Sequence, residues 1–312
     1  MAQMVKTAGI DVSKLWLDVS IWPTREEIRV SNDDAGLTLL IGWLGEHEVA
    51  RIGLEASGGY ERQALDTLQA AGFEVARLNP LRVRRFAQAK GRLAKNDRVD
   101  ARTVAQFTAV MVEEVPPQRR RDLDELTELL TYRRQLKRWC TDCTNQLEHL
   151  RDSVLRKAVT RQRVNFERDL AKIDAKLADL IAEHDDWAAL ARRLRTVPGV
   201  GPVVSASLVG LLPELGTLSR RGIASLVGLA PYDDDSGKRR GERHIKGGRK
   251  TVRDALYMAA LSATKHNPRI APFAERLAGK EAKVILTACM RKLLVMLNAM
   301  VRDGTDWRAE AA

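Results

Sequence analysis

The sequence predicts an α/β domain followed by two mainly helical segments, and three observations carry that prediction. Strand and helix signals alternate through roughly the first hundred residues. Pro116-Pro117 then interrupts the chain, and the residues beyond it are charged, with apolar side chains at helical steps. From about Ala191 the composition changes again, to Gly and Pro between short helical stretches. The expected domains are therefore 1–115, 116–190 and 191–312.

Each element has its own signal. Ala8, Ile10 and Val12 alternate with Gly9 and Asp11, and Leu15, Leu17, Val19 and Ile21 alternate with Trp16, Asp18 and Ser20. Two period-two runs this close predict a hairpin, with Ile28 and Val30 as a third strand. Leu37, Leu40, Ile41 and Leu44 predict a helix from Asp34 to about His47. Ile52 and Leu54 lead a strand that ends on Glu55. Ser57-Gly58-Gly59 breaks the chain before a helix reaching Ala71, and Phe73, Val75 and Leu78 form a further strand closed by Asn79-Pro80. The order implies a mixed sheet flanked by helices. Leu126, Leu129, Leu136, Cys140, Cys143, Leu147, Leu150 and Val154 step mostly by threes and fours, with one gap at the turn holding Tyr132 and Arg133, and Phe166, Leu170, Ile173, Leu177 and Ile181 continue that spacing. Two such seams with a basic connection predict an antiparallel coiled-coil hairpin. Val197-Pro198-Gly199-Val200-Gly201-Pro202 has the look of a helix-hairpin-helix turn, with Gly199 and Gly201 as phosphate contacts; a plain packed turn fits equally well. Leu286–Val301 reads as an apolar core helix.

The chain has 312 residues and a net charge of +11, and its basic residues cluster. One cluster contains Arg82, Arg84, Arg85, Lys90, Arg92 and Lys95, the other Lys238, Arg239, Arg240, Arg243, Lys246, Arg249 and Lys250. Both are poor in acids, which points to a polyanion, DNA or RNA. Three cysteines give no disulfide framework. Met1–Ala8 lacks the apolar core of a signal peptide, and Arg291 and Lys292 break the one long apolar run, so a cytoplasmic, nucleoid-associated protein is expected.

Four carboxylates are candidates for chemistry. Asp11 and Glu55 each end a strand on the face opposite its apolar residues. Asp97 and Asp100 open a helix that continues through Val104, Phe107 and Met111, so helical steps aim both at the sheet. Four carboxylates at one sheet edge repel one another and call for a cation; oxygen donors suit Mg²⁺ or Mn²⁺. Two such ions can clamp the attacking and leaving oxygens of a phosphodiester. Asp18, on the face of Trp16 and Ser20, reads as structural. Cys140-x-x-Cys143 falls on an apolar seam and reads as packing, the histidines form no metal-ligand pattern, and no phosphate loop or dinucleotide fingerprint occurs.

Asp233-Asp234-Asp235-Ser236-Gly237-Lys238 is a loop by composition. Basic residues beside Ser236 could hold a phosphate, but composition alone favours an exposed turn without chemistry.

Several of these motifs resemble one family. Gly9-Ile10-Asp11-Val12-Ser13-Lys14, Leu54-Glu55-Ala56-Ser57-Gly58-Gly59-Tyr60 and Lys95-Asn96-Asp97-Arg98-Val99-Asp100-Ala101 look like its amino-terminal motifs. Val197–Pro202, Gly228-Leu229-Ala230-Pro231 and Asp235-Ser236-Gly237 look like its carboxy-terminal ones. Together they resemble the transposases of the insertion sequence 110 family, the DEDD type grouped with insertion sequences 116 and 902. The resemblance implies a ribonuclease-H or RuvC-like domain, a coiled-coil arm and a serine-bearing transposase domain. It implies Asp11, Glu55, Asp97 and Asp100 as ligands of Mg²⁺, and Ser236 as the nucleophile forming a phosphoserine link to DNA. It further implies a structured guide RNA, a bridge RNA, pairing with donor and target DNA, and an assembly of dimers in which one subunit's serine completes another's metal site. The other readings open to the residues are a RuvC-like nuclease using water and a junction-binding or RNA-binding protein without catalysis.

Overall fold

The computed structural model describes residues 6–91, 97–112, 121–233, 241 and 243–308, with the backbone alone at 97–100 and 121. Chain contacts divide it into two compact units, 1–119 and 120–312.

Among the described residues, the first unit holds a five-stranded sheet. Its strands are β1 (Thr7–Val12), β2 (Trp16–Trp22), β3 (Glu27–Ser31), β4 (Arg51–Glu55) and β5 (Glu74–Leu78), in the spatial order β3-β2-β1-β4-β5. The first three pair antiparallel, and β1, β4 and β5 run parallel. The helices are α1 (Asp34–Glu46), α2 (Glu61–Ala70), α3 (Pro80–Ala89) and α4 (Asp97–Met111). Local chemistry sets their ends. The Asp33 carboxylate caps α1 by accepting from Gly36 N, and Asn79 caps α3 ahead of Pro80. Leu37, Leu40 and Leu44 of α1 and Ala64, Leu65 and Leu68 of α2 bury one face of the sheet with Ile10, Leu17, Val19, Ile52 and Leu54. This matches the mixed sheet and flanking helices expected of the sequence.

The other face belongs to α4, and two glycines let it come close. Gly9 and Gly53 are register partners on β1 and β4. A Cβ on Gly9 would lie 2.0 Å from Ala105 N, and one on Gly53 would lie 1.9 Å from Thr108 Oγ1. Strand glycines usually weaken a sheet; here they admit a helix backbone. Ala101, Ala105 and Thr108 are small enough to match. Val104 and Phe107 pack beside them on Ala76, Leu78 and Val83. Met111, expected on this face, is exposed instead, because the helix ends there past its apolar cover.

The second unit is helical: α5 (Asp124–His149), α6 (Ser153–Ala182), α7 (Asp185–Arg195), α8 (Pro202–Leu211), α9 (Arg220–Val227), α10 (Lys250–His266), α11 (Ala271–Glu275) and α12 (Ala282–Arg302), with short strands β6 (Pro231–Tyr232) and β7 (His244–Ile245). α5 and α6 lie antiparallel, joined side by side by Arg133–Asp174, by Lys176–Glu125 at 2.7 Å and by the Trp139 and Phe166 rings at 5.2 Å. The turn falls at Leu150–Asp152, where Asp152 caps α6, rather than in the basic stretch beyond Val154. Val154 is accordingly exposed and leaves the seam. The root of this hairpin shares a core with the rest of the unit, where Leu126, Leu130, Leu177 and Leu180 meet Leu208, Leu256 and Leu293. By length and composition alone α12 is apolar enough to cross a membrane despite Arg291 and Lys292, a test that the buried core helix of a soluble protein also passes. In this fold Leu293, Leu294 and Leu297 are fully buried in that core.

Candidate active site

Strand register brings two of the candidate carboxylates together. Gly9 pairs with Gly53 and Ile10 with Leu54, so Asp11 and Glu55, the next residue on each strand, stand side by side. Adjacent strands lie about 4.8 Å apart. Alternation puts Asp11 on the face of Thr7 and Gly9, and Glu55 on the face of Arg51 and Gly53, which is the face α4 covers. Both are half-buried.

α4 runs antiparallel to these strands. Thr7 Oγ1 at the start of β1 donates to Ala105 O at 2.9 Å, and the Arg51 guanidinium at the start of β4 donates to Val112 O. Ala101 O lies over Gly9. The amino end of the helix therefore points toward the carboxy ends of β1 and β4. Asp97 is one turn ahead of Ala101 and shares its sheet-facing side; Asp100 is one turn ahead of Val104. The backbone thus carries all four positions to one edge of the sheet. Asp11 and Glu55 are hard oxygen donors at neighbouring-strand distance, a set that fits Mg²⁺ or Mn²⁺. Among the described residues, no group of three or more His, Cys, Asp or Glu side chains comes together as a metal cage.

Two residues that sequence reasoning passed over hold the segments next to Asp11 and Glu55. Asn32 Nδ2 donates to Ser13 O at 2.9 Å and to Tyr60 O at 3.2 Å, tying the turn after β1 to the loop after β4. Glu61, fully buried at the start of α2, accepts from Gly59 N at 2.8 Å and Ser57 N at 3.1 Å, and pairs with Arg77 at 2.6 Å. Its only sequence signal was an acid opening a helix right after Ser-Gly-Gly. Burial alone would push the Glu61 carboxyl up, but the backbone N–H donors and Arg77 outweigh it and hold the carboxyl below the ordinary glutamate value. A depressed folded value gives stability that is present above the unfolded value and lost as pH falls through the folded one. Glu61→Gln should cost about 2 kcal/mol at neutral pH, with the gap to wild type closing as pH falls below the ordinary glutamate range. Urea unfolding of both proteins across that range measures it.

Asp18 is not a free carboxylate. Arg29 Nε and Nη2 grip its two oxygens at 2.8 and 2.7 Å.

In the second unit, Ser236, Lys238, Arg239 and Arg240 lie outside the described residues, as do Arg92 and Lys95 in the first. The base of the serine loop is described. β6 and β7 pair Pro231 with Ile245 and Tyr232 with His244. Below them Gly228, at φ +78°, and Gly248, at φ +70°, cross so closely that a Cβ on Gly248 would sit 2.2 Å from Gly228 N. Arg253 Nη1 donates to Val227 O and Gly247 O across this crossing. Arg249 is expected to bind a polyanion, but its guanidinium is engaged with both Glu214 oxygens and Leu211 O, so it braces the loop base. Arg243 pairs with Asp233 at 2.6 Å, Lys250 with Asp254 at 2.7 Å, and Lys246 is exposed. Arg82, Arg84 and Arg85 of α3 and Lys90 at its carboxy end are exposed. A Cβ on Gly199 would meet Ala259 O at 2.8 Å, so the bare side of this glycine receives α10. Gly201, at the amino end of α8, faces open space.

Comparison with known proteins adds the following. The sequence profile of DEDD transposases of IS110 matches residues 8–155, and that of the transposase IS116/IS110/IS902 family matches residues 191–275. The chain is similar to the pilin gene-inverting proteins of Moraxella lacunata and Moraxella bovis, each 28% identical over 312 residues, covering 95% of both chains. It is also similar to an uncharacterized 43.6 kDa protein of insertion element IS110 from Streptomyces coelicolor, 29% identical over 142 residues, 44% of this chain and 34% of that one. Among solved structures it is similar to T. thermophilus RuvC in complex with a Holliday junction substrate, with 14% identity and a TM-score of 0.29, covering 35% of this chain and 96% of that chain.

Proposed function

This chain belongs to the IS110 family of transposases and is a DNA recombinase, and from that membership we propose that it exchanges DNA strands through a serine-linked, metal-dependent, RNA-guided reaction. The observation that supports this most is the meeting of Asp11 and Glu55 on neighbouring parallel strands, at the edge where α4 opens on Asp97 and Asp100.

In this reading the four carboxylates hold Mg²⁺, which supplies positive charge to the phosphate oxygens when bound. Ser236 Oγ bonds to phosphorus as the strand's P–O bond breaks, and the serine hydrogen ends on the displaced oxygen. In the joining step a hydroxyl of the other strand displaces Ser236 Oγ by the reverse exchange, so no bond energy is lost to water. Arg243 and Lys246, beside the loop base, offset charge gathering on the phosphate. The exposed basic residues of α3, together with Arg92 and Lys95, bind a nucleic-acid backbone, as do Lys238, Arg239 and Arg240 of the serine segment. The antiparallel α5–α6 hairpin serves as a coiled-coil arm between protomers, and the serine of one subunit meets the carboxylates of another.

The test is to sequence RNA that copurifies with the protein and to assay joining of the donor and target DNA that it pairs with. Joining that requires both the RNA and Mg²⁺ supports the proposal. Joining without RNA removes the guide from it, and cutting without joining favours a hydrolytic nuclease.

A further inference from the structure

The strand register writes a charged row across the first unit's sheet. Arg29 of β3 stands opposite Asp18 of β2, and Asp18 opposite Asp11 of β1, with Glu55 next to Asp11 on β4. Residues directly opposite on antiparallel strands share a face, with Cβ atoms about 5 Å apart. Asp18 is therefore a carboxylate one strand over from Asp11 on the same sheet face, only 8% exposed, although its side chain does not join Asp11 and Glu55 in a cage. Left alone, it would draw any cation bound by Asp11 toward β2. The Arg29 fork prevents this twice over. It occupies an edge of the Asp18 carboxylate with bonds to Oδ1 and Oδ2, and its charge cancels that of Asp18.

We infer that Arg29 is a positioning residue of the carboxylate site: by sequestering Asp18 it leaves the cation to Asp11, Glu55 and the α4 aspartates. This rests on the metal-dependent reading above. Mg²⁺ demands near-ideal octahedral geometry and is usually held by one or two carboxylates together with waters and substrate phosphates. A further carboxylate would hold the ion more tightly and take a position that substrate oxygen needs.

Mn²⁺ binding to the full-length protein, followed by the electron paramagnetic resonance of the free ion, tests it. Arg29→Met should bind Mn²⁺ about fivefold more tightly, which is the scale that water-like screening leaves between a unit charge and a double charge ~8 Å apart. Its DNA cleavage should fall at the same time. Asp18→Asn combined with Arg29→Met should return the affinity to near wild type, a rescue that a merely structural ion pair would not produce. Asp18→Asn alone, which leaves the guanidinium uncancelled, should weaken Mn²⁺ binding, and it decides the matter if Arg29→Met fails to fold. Unchanged affinity in Arg29→Met, or tightening that persists in the double variant, overturns the inference. Asp11→Asn separates the two levels. If it binds Mn²⁺ as wild type does, the metal reading fails and this inference with it; if it loses binding while Arg29→Met and Asp18→Asn change nothing, this inference alone fails.

Discussion

Ser236→Ala should abolish strand joining, by about 10⁴-fold or more, while leaving the protein folded. Removing a covalent nucleophile takes away the intermediate itself, and the residual rate is what binding and electrostatics supply without it. The fold should tolerate the change because the loop is closed from below. The β6–β7 pairing, the Gly228–Gly248 crossing and the Arg249–Glu214 brace all lie outside the loop tip. A surface substitution away from such features typically shifts stability by within about 0.5 kcal/mol. Thermal unfolding alongside a joining assay reads both quantities. Joining that survives in Ser236→Ala would assign the nucleophile elsewhere.

Asp11→Asn should cost cleavage about 10³-fold while leaving the protein folded. The amide keeps the shape of the carboxylate but not the charge that holds a divalent ion. Thermal unfolding measured beside the cleavage assay separates lost activity from misfolding. Mixing Asp11→Asn with Ser236→Ala then reports on assembly. If one subunit's serine serves another's carboxylates, mixed dimers contain one intact site, and activity returns above that of either variant alone. No recovery would place serine and carboxylates of one chain in one site.

Much of the first unit was legible in the sequence. Period-two alternation set Asp11 and Glu55 opposite their apolar neighbours, and helical steps marked a helix opening at Asp97 with Val104 and Phe107 on its packed face. Register was not legible, since periodicity says which face a residue takes but not which residue it pairs with. That hid the adjacency of Asp11 to both Glu55 and Asp18. Period-two alternation says nothing of what Gly9 and Gly53 admit, yet they determine how near α4 can come. Glu61 and Asn32 act by folding back on loop backbone, and nothing in their spacing marks such contacts. In the second unit the apolar steps run on past Leu150, so the seam concealed a turn that Asp152 makes by capping α6. The neighbours of Arg249 and Gly199, which are Glu214 and α10, come from distant parts of the chain, and no local pattern marks them. Ser236 gained its candidacy from family resemblance, because the tripeptide Asp-Ser-Gly carries little information by itself.

The most direct test of serine-linked exchange is to run the reaction with the copurified RNA and Mg²⁺ in ¹⁸O-labelled water and to analyse protein and DNA by mass spectrometry. The account predicts a DNA-linked peptide containing Ser236 and joined strands free of ¹⁸O. Cut strands carrying ¹⁸O in each new terminal phosphate, with no DNA-linked peptide, would contradict it.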